Sequence, residues 1–277
     1  MDPHSSKPIS FISILKTIIN NRNLIYQMTK REIVGRYRGS VMGVLWSFIN
    51  PILMLIVYTF VFSVVFKARW GTGSEGESKS DFALILFAGL LVHTFFAEAL
   101  SRAPTLIIGN ANYVKKVVFP LETLSISNML SVLFHTFISI IVLLTAFVIF
   151  NGFIHWTAIL IPLVLLPIII FTLGISWLIS SLGVYLRDVG QTIAIIVTLL
   201  MFLSPIFYPV SALPKAFQSV ILLNPLTFII EQSRNVLIWG KLPDFLGLAI
   251  YSLIALVIMW LCYAWFQKTR KGFADVL

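Results

Sequence analysis

Glu98 and Arg102 stand one helical turn apart at the end of an otherwise apolar stretch, Phe82 to Ser101. Side chains at that spacing are neighbours on a helix, so carboxylate and guanidinium can pair near a membrane edge. Ion-coupled carriers keep titratable groups inside the bilayer. Glu98 is the best candidate for that role, and its pairing argues that the driving force comes from elsewhere. The histidines, His4, His93, His135 and His155, are scattered, with no carboxylate or cysteine at ligand spacing. They predict helix packing or hydrogen bonding rather than metal or proton chemistry. Cys262 is the single cysteine, which excludes an intrachain disulfide and a cysteine-built metal site. The one Gly-Lys pair, Gly240-Lys241, follows no glycine-rich cradle and precedes Leu242. ATP binding through a phosphate loop is therefore excluded. Arg187 and Asp188 sit at a membrane edge with no nucleophile–base pair beside them. The sequence predicts no catalytic residue, no metal ligand and no cofactor on this chain.

Two polar connections look suited to a protein partner. The first is Gly109 to Glu122, with Asn112, Tyr113, Lys115 and Lys116 closed by Phe119-Pro120. It reads as a short helix capped by Asn and stopped by Pro, with an exposed Tyr and an apolar edge. The second is Tyr185 to Gln191, a tight turn carrying Arg187 and Asp188. Each reads either as a docking element or as an ordinary interhelical link.

Long apolar elements must position these connections. Hydrophobic residues make up 58% of the 277-residue chain and charged residues 11%, against roughly 25% charged in soluble domains. The expected fold is all-α: a single membrane domain over residues 1–277, with six spans at about 41–66, 82–102, 123–150, 157–183, 189–208 and 245–267. Residues 1–40 form an interface segment, 41–267 the bundle and 268–277 a tail. Lys and Arg divide fourteen to six between the two sides. That bias puts both termini in the cytoplasm and makes a nucleic-acid reading of the +9 net charge unnecessary. The start, MDPHSSKPIS, lacks the apolar core of a signal peptide.

Within the interface segment, Phe11, Ile14, Leu15 and Ile18 follow helical spacing, with Ser13, Lys16, Thr17 and Asn20 opposite. An amphipathic helix on the inner surface follows, ended by Asn20, Asn21 and Asn23. A second, basic helix runs through Lys30, Arg31, Arg36 and Arg38. The segment reads either as an anchor or as a gate at a channel entrance. Gly35, Gly39 and Gly43 permit either close packing or a bend. On the outer side, 207–244 holds Pro209, Pro214, Asn224-Pro225 and Pro243 around apolar stretches too short to span. Two short re-entrant or interfacial helices fit it, a plausible outer gate. Trp46, Trp70, Trp156, Trp239 and Trp265 fall near predicted span ends. Phe60, Phe62, Phe95 and Phe96 lie within spans, where aromatic faces can line a sugar path or face lipid.

Arg31-Glu32-Ile33, Arg36-Tyr37-Arg38-Gly39-Ser40, Gly43-Val44-Leu45-Trp46 and Asn50-Pro51 together resemble the start of a type-2 ABC transporter permease, of the kind exporting O-antigen and related polysaccharides. Asn112 to Lys116 with Phe119-Pro120 is similar to that family's coupling helix, and Tyr185 to Val189 to its second cytoplasmic turn. Ser204-Pro205-Ile206-Phe207-Tyr208-Pro209 and Asn224-Pro225-Leu226 resemble its outer gate. The resemblance covers roughly residues 30–270. Leu121-Glu122 departs from it, standing where a basic-then-acidic pair is expected. The resemblance implies a homodimer in the bacterial inner membrane, two separate ATPase subunits that hold ATP and Mg, and a glycan on undecaprenyl diphosphate as substrate. Coupling to the ATPase falls on Asn112, Tyr113, Lys115, Lys116, Phe119, Arg187 and Asp188. Arg31, Arg36 and Arg38 are placed to attract the lipid diphosphate, although positive-inside anchoring explains them equally. Pro205, Tyr208, Pro209, Asn224 and Pro225 mark the outer gate. An ion-coupled lipid flippase or secondary transporter is the alternative.

Overall fold

The computed structural model describes residues 10–66, 70, 79–115 and 119–277; His4 and Lys116 lie outside them. Among the described residues the regular structure is entirely helical. Ser10 is extended, and its hydroxyl accepts from the Ile12 amide at 3.3 Å, starting α1 (Phe11–Asn20). Asn21 ends that helix, as the Asn run predicts, and α2 (Arg22–Arg36) follows. The face of α1 differs from expectation. Ile14 and Thr17 are buried, while Ile12, Leu15 and Ile19 form an exposed apolar stripe. The expected apolar face took Leu15 and left out Thr17; the helix instead turns Ile14 toward the chain's own core and keeps a second apolar face outward, as a helix lying on a membrane surface requires.

A bend separates α2 from α3 (Trp46–Tyr58). Gly39 and Gly43 have φ of +86° and +52°, and a Cβ added at Gly35, Gly39 or Gly43 would meet nothing within 4 Å. Within this chain the glycines therefore serve the bend rather than close packing. The wide helical turns Thr59–Val65 continue α3. The next helix, α4 (Lys79–Arg102), is apolar all round from Phe82, and 83% of its apolar stretch is buried. Such a helix belongs at the centre of a bundle. For α3 the corresponding share is 11%, so its apolar face looks outward.

Beyond a 3₁₀ turn at Ala103–Thr105, the first connection holds another at Ile108–Asn110 and one short helix, α5 (Ala111–Lys115). Then come α6 (Glu122–Asn151) and α7 (Ile161–Tyr185). Gly152, at φ +80°, closes α6 by donating its amide to the Val148 carbonyl at 2.8 Å. Leu186 and the exposed pair Arg187-Asp188 lead into α8 (Val189–Leu203). The expected span 189–208 stops short there. Ser204 is extended at φ −94°, ψ 150°, the conformation that a following proline imposes. The segment after it forms α9 (Lys215–Leu222) and α10 (Pro225–Leu237). α11 (Phe245–Thr269) and α12 (Phe273–Val276) finish the chain.

Among the described residues five stretches are long and apolar enough to cross a membrane: Gly43–Phe62, Phe82–Thr105, Glu122–Asn151, Trp156–Tyr185 and Phe245–Val276. α8 is apolar but shorter. Two cores hold the bundle. The larger gathers α4 with the facing sides of α6, α7 and α10. The smaller lies at the end carrying α1 and α12, around Trp177, Tyr263, Phe266 and Phe273. Close backbone contacts fix the helices there. A Cβ on Gly174 would lie 2.5 Å from Met259 Cα, and one on Gly183 would lie 2.3 Å from the Pro104 carbonyl oxygen.

The bend is testable. Gly39→Ala forces a side chain into the left-handed region and should cost about 1–2 kcal/mol. Gly35→Ala, inside α2 with open space around it, should stabilise by about 0.5–1 kcal/mol. Unfolding midpoints of the purified variants in one detergent check both.

Candidate functional site

The first connection is built on stacked rings. Tyr113 lies parallel to Phe119, centroids 4.5 Å apart at 10°. Val114 is buried beneath them, while Asn112 and Lys115 are exposed. The Asn110 amide group donates back to the Leu106 carbonyl at 2.9 Å. From α2, the Arg31 guanidinium donates to Tyr113 Oη at 3.0 Å. A residue expected at the lipid entrance thus touches one expected at the docking face.

Glu122, where the family pattern is broken, is not on that face. It is 1% exposed and pairs with Arg270 at 3.0 Å, itself 5% exposed. Arg270 also donates to the Phe119 carbonyl at 2.8 Å, and Trp177 Nε1 to the Glu122 carbonyl at 3.1 Å. The second connection is tied to the same region, because Tyr185 Oη donates to the Thr269 carbonyl at 2.8 Å. Arg187 and Asp188 remain exposed beside it.

Glu98 pairs with Arg102 at 3.1 Å, the i,i+4 contact that the spacing predicts, and also with Arg36 from the end of α2. Glu98 and Arg36 border a cavity of about 440 Å³ between α3, α4 and α6. Its other polar groups include Tyr37, Asn50, Thr94 and His135; Met54, Leu91 and Phe95 line its apolar part. Tyr37 meets the His135 ring edge-on. His93 bonds the Val197 carbonyl at 3.1 Å, joining α4 to α8, and His155 packs against Phe147 and Phe153. Arg38 is exposed beyond the end of α2. Burial pushes the Glu32 carboxyl up to about 7, although Arg102 and Arg31 pull it the other way.

At the far end, Asn224 caps α10 by accepting from the Leu226 amide at 2.9 Å, with Pro225 in the first turn. Its Nδ2 donates to Ser204 Oγ at 2.8 Å. Tyr208 Oη donates to the Phe202 carbonyl at 2.9 Å, and Tyr251 Oη to the Pro225 carbonyl at 2.8 Å. Pro209 precedes the turn Val210–Ala212. Sequence reasoning missed the centre of this region, Arg234, which is 1% exposed. It donates to the carbonyls of Ile85 at 3.1 Å, Pro205 at 2.6 Å and Ile206 at 2.9 Å. Its guanidinium lies 4.2 Å from the centre of the Trp70 ring. Gly89 leaves room for it: a Cβ there would stand 2.7 Å from Nη2. A lone arginine just after the apolar run Leu226 to Ile230 was the signal that could have found it.

The four phenylalanines do not share a surface. Phe60 is exposed at 58%, beside an apolar groove of about 640 Å³ between α3 and α6. Phe62 stacks among Phe66, Phe82 and Phe207. Phe95 borders the cavity of Glu98, and Phe96 is buried against Phe171.

The family model described as "ABC-2 type transporter" matches residues 23–238, more than half of the chain. The chain belongs to the ABC-2 type transporter family. Similar proteins include an O-antigen export system permease protein RfbA of Myxococcus xanthus. It is 26% identical over 266 residues, which cover 95% of this chain and 99% of that one. A protein of the same name from Klebsiella pneumoniae is 28% identical, covering 92% and 95%. The polysialic acid transport protein KpsM of Escherichia coli is 23% identical, covering 87% and 92%. As an ABC-2 chain, the protein is a multi-pass membrane protein.

Two outcomes follow for this ABC-2 chain. Arg234→Met leaves three carbonyls without their donor and should cost about 3 kcal/mol or more. Gly89→Ala should cost about 1–3 kcal/mol by crowding the guanidinium, and the double variant should cost less than the sum. Denaturant unfolding in micelles measures the cycle. Because the Glu32 pKa rises on folding, its contribution opposes folding once the carboxyl ionises, and stability falls as pH climbs from about 4.5 to about 7. Glu32→Gln should therefore raise the melting temperature at pH 8 and leave it nearly unchanged at pH 4.5.

Proposed function

We propose that this chain is the membrane conduit of an exporter moving a polysaccharide on undecaprenyl diphosphate from cytoplasm to periplasm, powered by ATP hydrolysis on a separate subunit. The observation that carries the reading is similarity along nearly the whole chain to permeases named for O-antigen export. The working unit is a homodimer with two ATPase subunits. Six spans, with α8 as the fifth, keep both termini in the cytoplasm, in line with the fourteen-to-six division of Lys and Arg.

Tyr113, with Asn112, Lys115, Lys116, Phe119, Arg187 and Asp188, receives the ATPase stroke. Its support is local order: a ring stack, a buried Val114 and exposed polar neighbours. Arg31 and Arg36 flank the lipid entrance with Arg38. Arg31 bonds Tyr113, so diphosphate capture and nucleotide state share a contact. The carbonyl-rich turn at Pro205, with Tyr208, Pro209, Asn224 and Pro225, serves as the outer gate. Of Phe60, Phe62, Phe95 and Phe96, Phe60 is the one exposed enough to meet a passing glycan.

The ion-coupled alternative needs a buried group that exchanges protons. Glu98 is its candidate, and two arginines hold that carboxylate as an ion pair. Proteoliposomes separate the two readings. The chain alone should hydrolyse no ATP, and it should gain glycolipid-stimulated hydrolysis with its ATPase. A Tyr113→Ala, Lys116→Glu double variant should keep hydrolysis and lose export at least tenfold. ATP-independent export driven by a pH gradient, abolished by Glu98→Gln, would sink the exporter reading.

A further inference from the structure

Residues 270–277 pack beneath both connections. Arg270 is buried and bridges two things at once: the Glu122 carboxylate, where α6 begins, and the Phe119 carbonyl, just before Pro120. Three residues later, Phe273 is fully buried against Phe266 and Tyr185. A Cβ at Gly272 would lie 2.7 Å from Tyr185 Oη, the hydroxyl that donates to Thr269. α12 also contacts α5. The two connections, about 70 residues apart in sequence, therefore meet on one short piece of chain.

We infer that residues 270–277 are a clamp that sets the first connection and the second as one rigid face, with Arg270 as its positioning residue. Energetics favour a rigid part over a loose tail. A buried ion pair held with extra hydrogen bonds tolerates little displacement, because moving one partner strands the other in a low-dielectric site. Exposed Lys115, Arg187 and Asp188 can bind a partner, but flexible side chains cannot fix the spacing between two connections. The clamp supplies that spacing. Its functional consequence, faithful transmission of a stroke from an ATPase, rests on the docking reading above; the positioning itself does not.

The test separates the two. Spin labels are placed at Gly109→Cys and Leu186→Cys in a Cys262→Ala background, neither position being among the docking residues. The full chain is reconstituted with its ATPase in nanodiscs, and the label–label distance distribution is measured beside hydrolysis and export. The parent protein should give one narrow distribution. Arg270→Gln should widen it at least twofold, and Arg270→Lys should recover part of the loss. Tyr185→Phe removes the bond that ties the second connection to Thr269, the residue next to the clamp, without burying a lone charge, so it reports even if Arg270→Gln does not fold. It should widen the distribution to a smaller degree. Deletion of 273–277 should widen it as Arg270→Gln does. Unchanged widths in Tyr185→Phe and in the deletion would overturn the clamp. Widened distances with export per ATP unchanged would keep the clamp and overturn the docking reading. Widened distances with export per ATP reduced severalfold at unchanged basal hydrolysis support both.

Discussion

A helix that stops inside an apolar bundle leaves carbonyl oxygens without donors, and no water is at hand to supply them. This chain meets that demand with two buried arginines, one at each end. At the far end, α8 stops before Pro205; Tyr208 and Asn224 donate to its last carbonyls, and Arg234 to those of Pro205 and Ile206 in the turn beyond. At the other, Arg270 donates to the carbonyl of Phe119, the residue before Pro120. In both places a guanidinium satisfies carbonyls beside a proline. Its planar fork reaches several acceptors at once, which a lysine cannot do. The rest of the architecture hangs from these two points. α10 and the turn after α8 are fastened to α4 at one, and the two connections to α11 at the other.

Much of this was legible in the sequence. Apolar runs located the long helices to within a few residues, because lipid imposes length and composition together. The Glu98–Arg102 pair followed from spacing, and the helix breaks from the Asn run at 20–23 and the outer-side prolines. The amphipathic helix α1 followed from periodicity, but which of its residues pack on the chain's own core did not: Ile14 and Thr17 are buried while Leu15 is exposed. The Glu122–Arg270 bridge was invisible for a different reason. Its partners lie 148 residues apart, and nothing local marks a charge that will be buried. What looked like a departure from the family's docking charge is a structural pair. Arg234 belongs to the six charges assigned to the outer side, and the sequence does not show that it is buried, where a cation is costly unless several acceptors await it.

The same contrast separates exposed charges from buried ones. Lys115, Arg187 and Asp188 face outward at the end that carries α1 and α12. Glu98, Arg36 and Arg102 occupy the middle ground, half-shielded in one ion-pair cluster of which Glu98 and Arg36 border a cavity lined by both polar and apolar side chains.

α8 carries a further implication. Fifteen residues rise about 22 Å, while the hydrocarbon of a bilayer is about 30 Å thick. A membrane adjusts to so short a helix by thinning around it. Lipid beside α8 would then be compressed and locally disordered, and a polar headgroup crossing there would travel less far through oil. The early stop at Ser204, which fixes the loop for Arg234, would in that way also lower the barrier the membrane presents to cargo.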